Sequence, residues 1–185
     1  MSERLADARP QHVVGFAGYS GSGKTTLVEQ VVAHFRQAGV VVSVIKHAHH
    51  NFDIDHPGKD SWRHRKAGAH EVLVASAYLV ALQRESAKPV EHSVDSLLPM
   101  LHKVDWVLVE GFKHAPIPKI EVWRHSAGKP VCYPDDAHIL AIATDDPRRL
   151  PQPTTATLLD INQPAAVAQW LLDHHLLFRR ADASS

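Results

Sequence analysis

Residues 13–35, VVGFAGYSGSGKTTLVEQVVAHF, limit the folds open to this chain more than any other stretch. Gly18, Tyr19, Ser20, Gly21, Ser22, Gly23, Lys24 and Thr25 fit the phosphate-loop pattern G-x-x-x-x-G-K-[ST] at every fixed position. The flanks suit it as well. Residues 13–17 are a short apolar run, long enough for a buried parallel strand and too short for a helix. From Lys24 onward Leu27, Val28, Val31, Val32 and Phe35 recur at helical spacing. Strand, glycine-rich turn and helix is the frame such a loop requires. The glycines permit tight positive-φ turns, so backbone N–H groups can close on an anion. The helix start adds unpaired N–H groups and a positive dipole end. Lys24 is expected to reach the β- and γ-phosphates, and the Thr25 hydroxyl to ligate Mg²⁺.

The order of the following segments predicts the fold class. Residues 40–45 (VVVSVI) form a second β-branched strand after Gly39, which caps the first helix. That strand–helix–strand unit implies parallel pairing and a right-handed crossover. Further strands are expected at 105–111, 119–123, 139–143 and 157–161. Residues 71–75 and 77–82 read as two strands on a very short link. A short helix is expected at 94–102, weakened by Pro99, and a last one at 166–177, started by Asn162 and Pro164. The expectation is therefore an α/β phosphate-loop NTPase fold of three layers. It has a mostly parallel central sheet, helices on both faces and a strand extension near 113–125. Residues 12–178 read as a single nucleotide-binding domain between a loose tail (1–11) and a frayed end (179–185).

Composition narrows the function. Of 185 residues, 20 are Lys or Arg and 20 are Asp or Glu, so the formal charge is zero. That removes the electrostatic argument for nucleic-acid or membrane-surface binding. No apolar run nears the roughly 20 residues of a membrane helix. The single cysteine, Cys132, has no internal disulfide partner, and no secretory leader is evident, so the expected location is the cytoplasm.

Two strand ends carry candidate chemistry. The run WVLVE delivers Glu110 where its strand stops, in position to hold Mg²⁺ or its water shell. Aspartate is usual there, so Glu110 is a departure and suits contact through water. Asp105 opens the same strand, roughly 17 Å away at ~3.3 Å per residue, too far to share the role. At the end of ILAIA, Asp145 could accept both N–H groups of a guanine edge, for which adenine has no matching pair of donors. Thr144–Pro147 also makes an ordinary turn.

Residues 46–70, KHAHHNFDIDHPGKDSWRHRKAGAH, hold six of the chain's 15 histidines. Pro57 and Gly58 mark a turn, and Asp60 or Ser61 could cap a short helix ended by Gly68. One reading is a zinc site of His47, His49 and His50, which lacks cysteine partners. Another is a switch-like loop in which Asp53 or Asp55 approaches Mg²⁺ while Lys59, Arg63 or Arg65 binds a phosphate-bearing ligand. A plain solvated basic helix is the third.

GYSGSGKTTL, VIKHAHHNFDIDHPGKDSWRHRKAGA, VLVEGFKHAPIPKIEVWR and AIATDDP together resemble the MobB family of molybdopterin-guanine dinucleotide biosynthesis proteins, over about residues 12–175. The phosphate loop is shared with many NTPases, whereas the second and third segments are particular to the family. The resemblance implies a GTP-binding accessory protein with weak GTPase activity. It implies association with the guanylyltransferase that joins GMP to molybdenum-bound molybdopterin, and a homodimer with an extended strand arm around residues 113–123 making subunit contacts. A molybdopterin-type ligand near 46–70 would fit that pathway. Carried over by position, Gly18 through Thr26, including Tyr19, Ser20, Ser22 and Thr26, hold phosphates, with Lys24 and Glu110 in catalytic positions. Thr25, Glu110, Asp53 and Asp55 are the residues near Mg²⁺. Two other readings remain open. One is a small-molecule kinase with Arg63 and Arg65 as a lid, and the other a metal-handling GTPase chaperone prompted by the histidines.

Overall fold

The computed structural model describes residues 11–48 and 52–180. In chain order the strands and α-helices are β1 (His12–Ala17), α1 (Lys24–Gln37), β2 (Val42–Lys46), α2 (Asp60–Lys66), β3 (Glu71–Ala75), β4 (Val80–Arg84), α3 (Val94–Leu97), β5 (Trp106–Glu110), β6 (Lys119–Trp123), β7 (Ile139–Thr144), β8 (Thr157–Asp160) and α4 (Pro164–Asp173). The chain divides into two compact units, one formed by residues up to His47 and from Ser93 onward, the other by Ala48–His92.

The first unit holds a six-stranded, wholly parallel sheet in the order β2-β5-β1-β6-β7-β8. Its inner strands β1, β5 and β7 are buried on both faces, so they are nearly continuous apolar runs and not alternating ones. Successive residues still part to opposite sides. Val14, Phe16, Trp106 and Leu108 join Leu27, Val31 and Phe35 of α1 and Val167 and Leu171 of α4 in one core. Val13, Val107 and Val109 join Val94 of α3 and Leu98 in another. Helices thus cover both faces, giving the three layers expected. Helix α1 ends as its sequence suggests: Gly39 takes φ +75°, and the Val40 N–H reaches back to the Phe35 carbonyl at 2.9 Å.

Several expectations need correction. Strands β1 and β2 are parallel members of one sheet but do not pair, because β5 lies between them. Strand β5 is buried at every position and takes that protected place, so the α1 crossover spans it. Nor is the stretch around residues 113–123 an extended arm. Strand β6 bonds to β1 on one edge and β7 on the other, and all five of its residues are buried. A strand sealed on both edges has no free ladder to offer another chain. Helix α3 stops after one turn and passes into a 3₁₀ turn at Leu98–Met100, where Pro99 lacks a donor. It is opened by a capping box between Ser93 and Ser96.

The second unit is small and thinly packed. Helix α2 has no buried residue and no side-chain cap; its N-cap is Lys59, and the Ser61 hydroxyl donates instead to Asp55 at 2.8 Å. Strands β3 and β4 form an antiparallel hairpin, with Ala75 opposite Val80 and Glu71 opposite Arg84. The Ser76 hydroxyl closes its turn by accepting the N–H groups of Tyr78 and Leu79. Both faces of the hairpin leave large apolar side chains exposed: Leu73, Val74, Tyr78, Leu79, Val80 and Leu82.

One buried charge stands out in the first unit. Lys119 is 1% exposed, yet it lies mid-sheet at the start of β6. Its ammonium donates to the carbonyls of Lys113 (3.0 Å) and Ala115 (2.8 Å) and pairs with Asp136 at 2.5 Å. All three donors are used, as burial requires. Lys119→Met should lower stability by about 3 kcal/mol in urea unfolding, because Asp136 and two carbonyls lose their partner. The pair Lys119→Met with Asp136→Asn should recover part of that loss.

Candidate functional site

All six parallel strands deliver their carboxyl ends to one edge, and the loop from Gly18 to Thr25 turns there between β1 and α1. Its geometry depends on three glycines with positive φ: Gly18 (+135°), Gly21 (+83°) and Gly23 (+94°). A Cβ at Gly18 would collide with the Val122 carbonyl oxygen, so the loop can lie on β6 only without one. Gly23 is the N-cap of α1, in the left-handed region, with no side-chain cap. The first turn carries no acid, leaving the helix N-terminus open to an anion. The Ser22 hydroxyl is buried and has no protein partner. Together these features fit a phosphate group.

The charged groups lie around this cradle. The Lys24 ammonium donates to the Tyr19 carbonyl at 2.7 Å, closing the loop on itself. Burial pulls its pKa below the ordinary lysine value, against the opposing pull of Glu110. The Thr25 hydroxyl donates to Glu110 Oε1 at 2.6 Å. Glu110 is itself buried at the end of β5, so the hydroxyl and carboxylate expected to share a metal already meet. Gly111 follows with φ +97°, and a Cβ there would press on His47 at 3.2 Å, whose N–H donates to the Glu110 carbonyl at 2.8 Å. Residues Thr25 and Glu110 fit Mg²⁺ as part of an oxygen shell completed by phosphate and water. Among the described residues no three His, Cys, Asp or Glu side chains are grouped to hold a metal by themselves.

Asp145 lies in the same unit, at the end of β7, where its carboxylate accepts from Arg124 Nη1 at 2.8 Å. Arg124 also reaches Asn162 Oδ1 at 3.5 Å, and its Nε is 3.4 Å from where a Gly23 Cβ would stand. Arg124 therefore links the Asp145 side of the edge to the phosphate loop. Asp53 and Asp55 belong to the second unit and are engaged within it. Arg65 holds both oxygens of Asp53 at 2.7 Å and pairs with Glu85 at 2.6 Å, while Asp55 accepts from Ser61. The guanidinium holds the Asp53 carboxyl below its usual range. Of the histidines read as a zinc set, His49 and His50 fall outside the described residues, and the His47 ring packs on Phe112 at 4.9 Å.

Three further residues escaped the reading of the sequence. Lys46 ends β2 beside Glu110, and Arg124 directly follows β6. Both could have been found by the strand-end rule that selected Glu110 and Asp145. Lys113 could not: its ammonium sits 3.9 Å from the centre of the Tyr19 ring, a contact between loops that no spacing announces. A groove of about 450 Å³ at the opposite edge of the sheet, between His12, Trp106, His175 and Arg179, has none of the phosphate-loop features.

Comparison with known proteins follows the same line. A family model described as Molybdopterin guanine dinucleotide synthesis protein B, MobB, matches residues 13–145. A molybdopterin-guanine dinucleotide biosynthesis adapter protein of Haemophilus influenzae is 43% identical over 168 residues, covering 88% of this chain and 90% of that one. Its counterpart in Escherichia coli is 39% identical over 164 residues, covering 87% and 91%. A crystal structure of molybdopterin-guanine biosynthesis protein B superposes with TM-score 0.68 and 27% identity over 89% of this chain and 98% of that one. A MobB homolog from Bacillus stearothermophilus gives 0.64 and 26% over 89% and 97%.

Cys132 lies behind the loop, where its N–H donates to the buried Glu121 at 2.7 Å. Burial and that carboxylate push its thiol up to about 11. At pH 8 only about one thiol in a thousand is then ionised. Native protein should react with a thiol reagent far more slowly than protein unfolded in urea, read as absorbance of the released chromophore.

Proposed function

Because the chain belongs to the MobB family, we propose that it is an adapter in molybdopterin-guanine dinucleotide biosynthesis that binds GTP with Mg²⁺ and assists a partner guanylyltransferase in the cytoplasm. The observation that carries this reading is the 2.6 Å contact of Thr25 with Glu110 beside an open helix N-terminus. In it the backbone of residues 18–25 surrounds the phosphates, and Lys24 leaves the Tyr19 carbonyl for a phosphate oxygen. Ser22 gains the partner it lacks. Thr25, with Glu110 directly or through water, holds Mg²⁺, which when bound neutralises phosphate charge. Asp145 reads the guanine edge, oriented by Arg124. Hydrolysis is weak, because Arg124, the guanidinium beside the loop, is committed to Asp145 and Asn162. The ligand of residues 46–70 is of the molybdopterin type, met by Lys59 and Arg63.

Titration of the wild type and two variants with GTP and ATP tests this directly. Lys24→Ala should lose binding of both nucleotides while keeping its circular dichroism spectrum. Asp145→Ala should weaken GTP about tenfold and ATP hardly at all. Near-normal GTP affinity in the first variant, or equal effects in the second, would overturn the assignment. The guanylyltransferase should co-purify with the wild type more strongly when GTP is present.

The chain also acts as a homodimer in this proposal. The support is the β3–β4 hairpin, where Tyr78 is 99% and Leu79 70% exposed beside the exposed Leu73, Val80 and Leu82, an apolar group that a second copy could cover. Sedimentation should give twice the chain mass for the wild type and a shift towards the monomer for Leu79→Lys. A monomeric wild type would count against it.

A further inference from the structure

The last residue of β2 is paired in register with the last residue of β5: Lys46 stands beside Glu110. The Lys46 ammonium is 3.5 Å from Glu110 Oε1 and donates to the Thr25 hydroxyl at 3.4 Å. It therefore points at the same two side chains that fit a divalent cation. Its contacts are long and its side chain is 56% exposed, so little holds it there. Lys24, by contrast, is tied to the loop by a 2.7 Å bond to a carbonyl. Two ammonium groups thus flank one carboxylate, and Lys46 adds to the downward pull on Lys24.

We infer that Lys46 is a second phosphate-binding lysine, specific for the γ-phosphate of a bound nucleoside triphosphate, and that its ammonium leaves Thr25 and Glu110 to reach it. The inference rests on the nucleotide reading above. Its physical basis is charge bookkeeping at a single seat. A divalent cation bound by Thr25 and Glu110 repels an ammonium 3.4 Å from the same hydroxyl, so Lys46 must leave when the metal arrives. A cation held by Thr25 and Glu110 would fill its remaining positions with nucleotide oxygens and water, and the γ-phosphate would be among the anions within reach of Lys46. A four-carbon stem with free rotation, mostly in solvent, allows the ammonium to move from carboxylate to phosphate without backbone change. A diphosphate ends at its β-phosphate and offers Lys46 no γ-phosphate, so the residue distinguishes the two nucleotides.

Calorimetric titration of the whole chain with GTP and with GDP, magnesium in excess, tests this. In Lys46→Met the GTP affinity should fall about tenfold to thirtyfold, the scale of one charge-assisted hydrogen bond, while the GDP affinity stays within about twofold. Lys46→Arg, which keeps the charge, should recover much of the GTP affinity. A Lys46→Met variant that weakens both nucleotides alike, or neither, overturns the assignment while leaving the phosphate loop in place. A wild type that binds neither nucleotide overturns the nucleotide reading itself, and this inference with it. Identical melting of variant and wild type without nucleotide excludes a folding defect as the cause.

Discussion

A parallel sheet sends the carboxyl end of every strand to the same edge, and that constraint organises the chemistry of this chain. Lys46, Glu110, Arg124, Asp145 and the loop after Ala17 are far apart in sequence, yet each stands at or just beyond the end of a strand. None needs a special device to reach the others. The sheet itself depends on helices covering both faces, since its inner strands β1, β5 and β7 are apolar on both sides. Packing and chemistry are thus joined: cores on opposite faces bury Val13 and Val14 in the strand that leads into the loop, and Tyr19 of the loop packs on a third core with Trp123 and Tyr133.

Much of this was legible from the residues alone. The phosphate loop, the helix after it and the strand ending at Glu110 announce themselves through spacing and short apolar runs. So do a pair of strands after residue 70 and the end of α2 at Lys66, although neither Asp60 nor Ser61 caps that helix and the second strand begins at Val80 instead of residue 77. Strand order was not legible, because periodicity reports which face is buried and says nothing about which neighbour supplies the ladder. That is why β5 could enter between β1 and β2, and why nothing in the pattern opposed the projecting arm that the family resemblance implied around β6. Its buried Lys119 and Glu121 read as exposed polar positions in an alternating pattern, whereas both are satisfied inside by backbone groups. Glu121 accepts the N–H groups of Cys132 and Tyr133, and burial still raises its carboxyl pKa.

The two units are held together internally by different forces. In the first, large side chains such as Phe16, Phe35 and Leu108 are fully removed from water, and apolar burial dominates. In the second, the contacts are mostly charged and near the surface: Arg65 with Asp53 and Glu85, and Arg84 with Glu71. Such pairs contribute little individually and are screened by salt. A unit of that kind keeps its apolar side chains available instead of spending them on its own core.

Gly15 and Lys119 face one another across β1 and β6, and a Cβ at position 15 would stand 2.6 Å from the Lys119 Cγ. The lysine stem occupies the space a larger neighbour would need. A side chain at 15 is compatible only with a shorter residue at 119, and that residue could no longer reach the carbonyls of 113 and 115. A change at 15 is closed unless 119 shortens with it, and a change at 119 has to be met at 136. A charge buried in a sheet thus acts as a ratchet on sequence divergence in the strands that flank the phosphate loop.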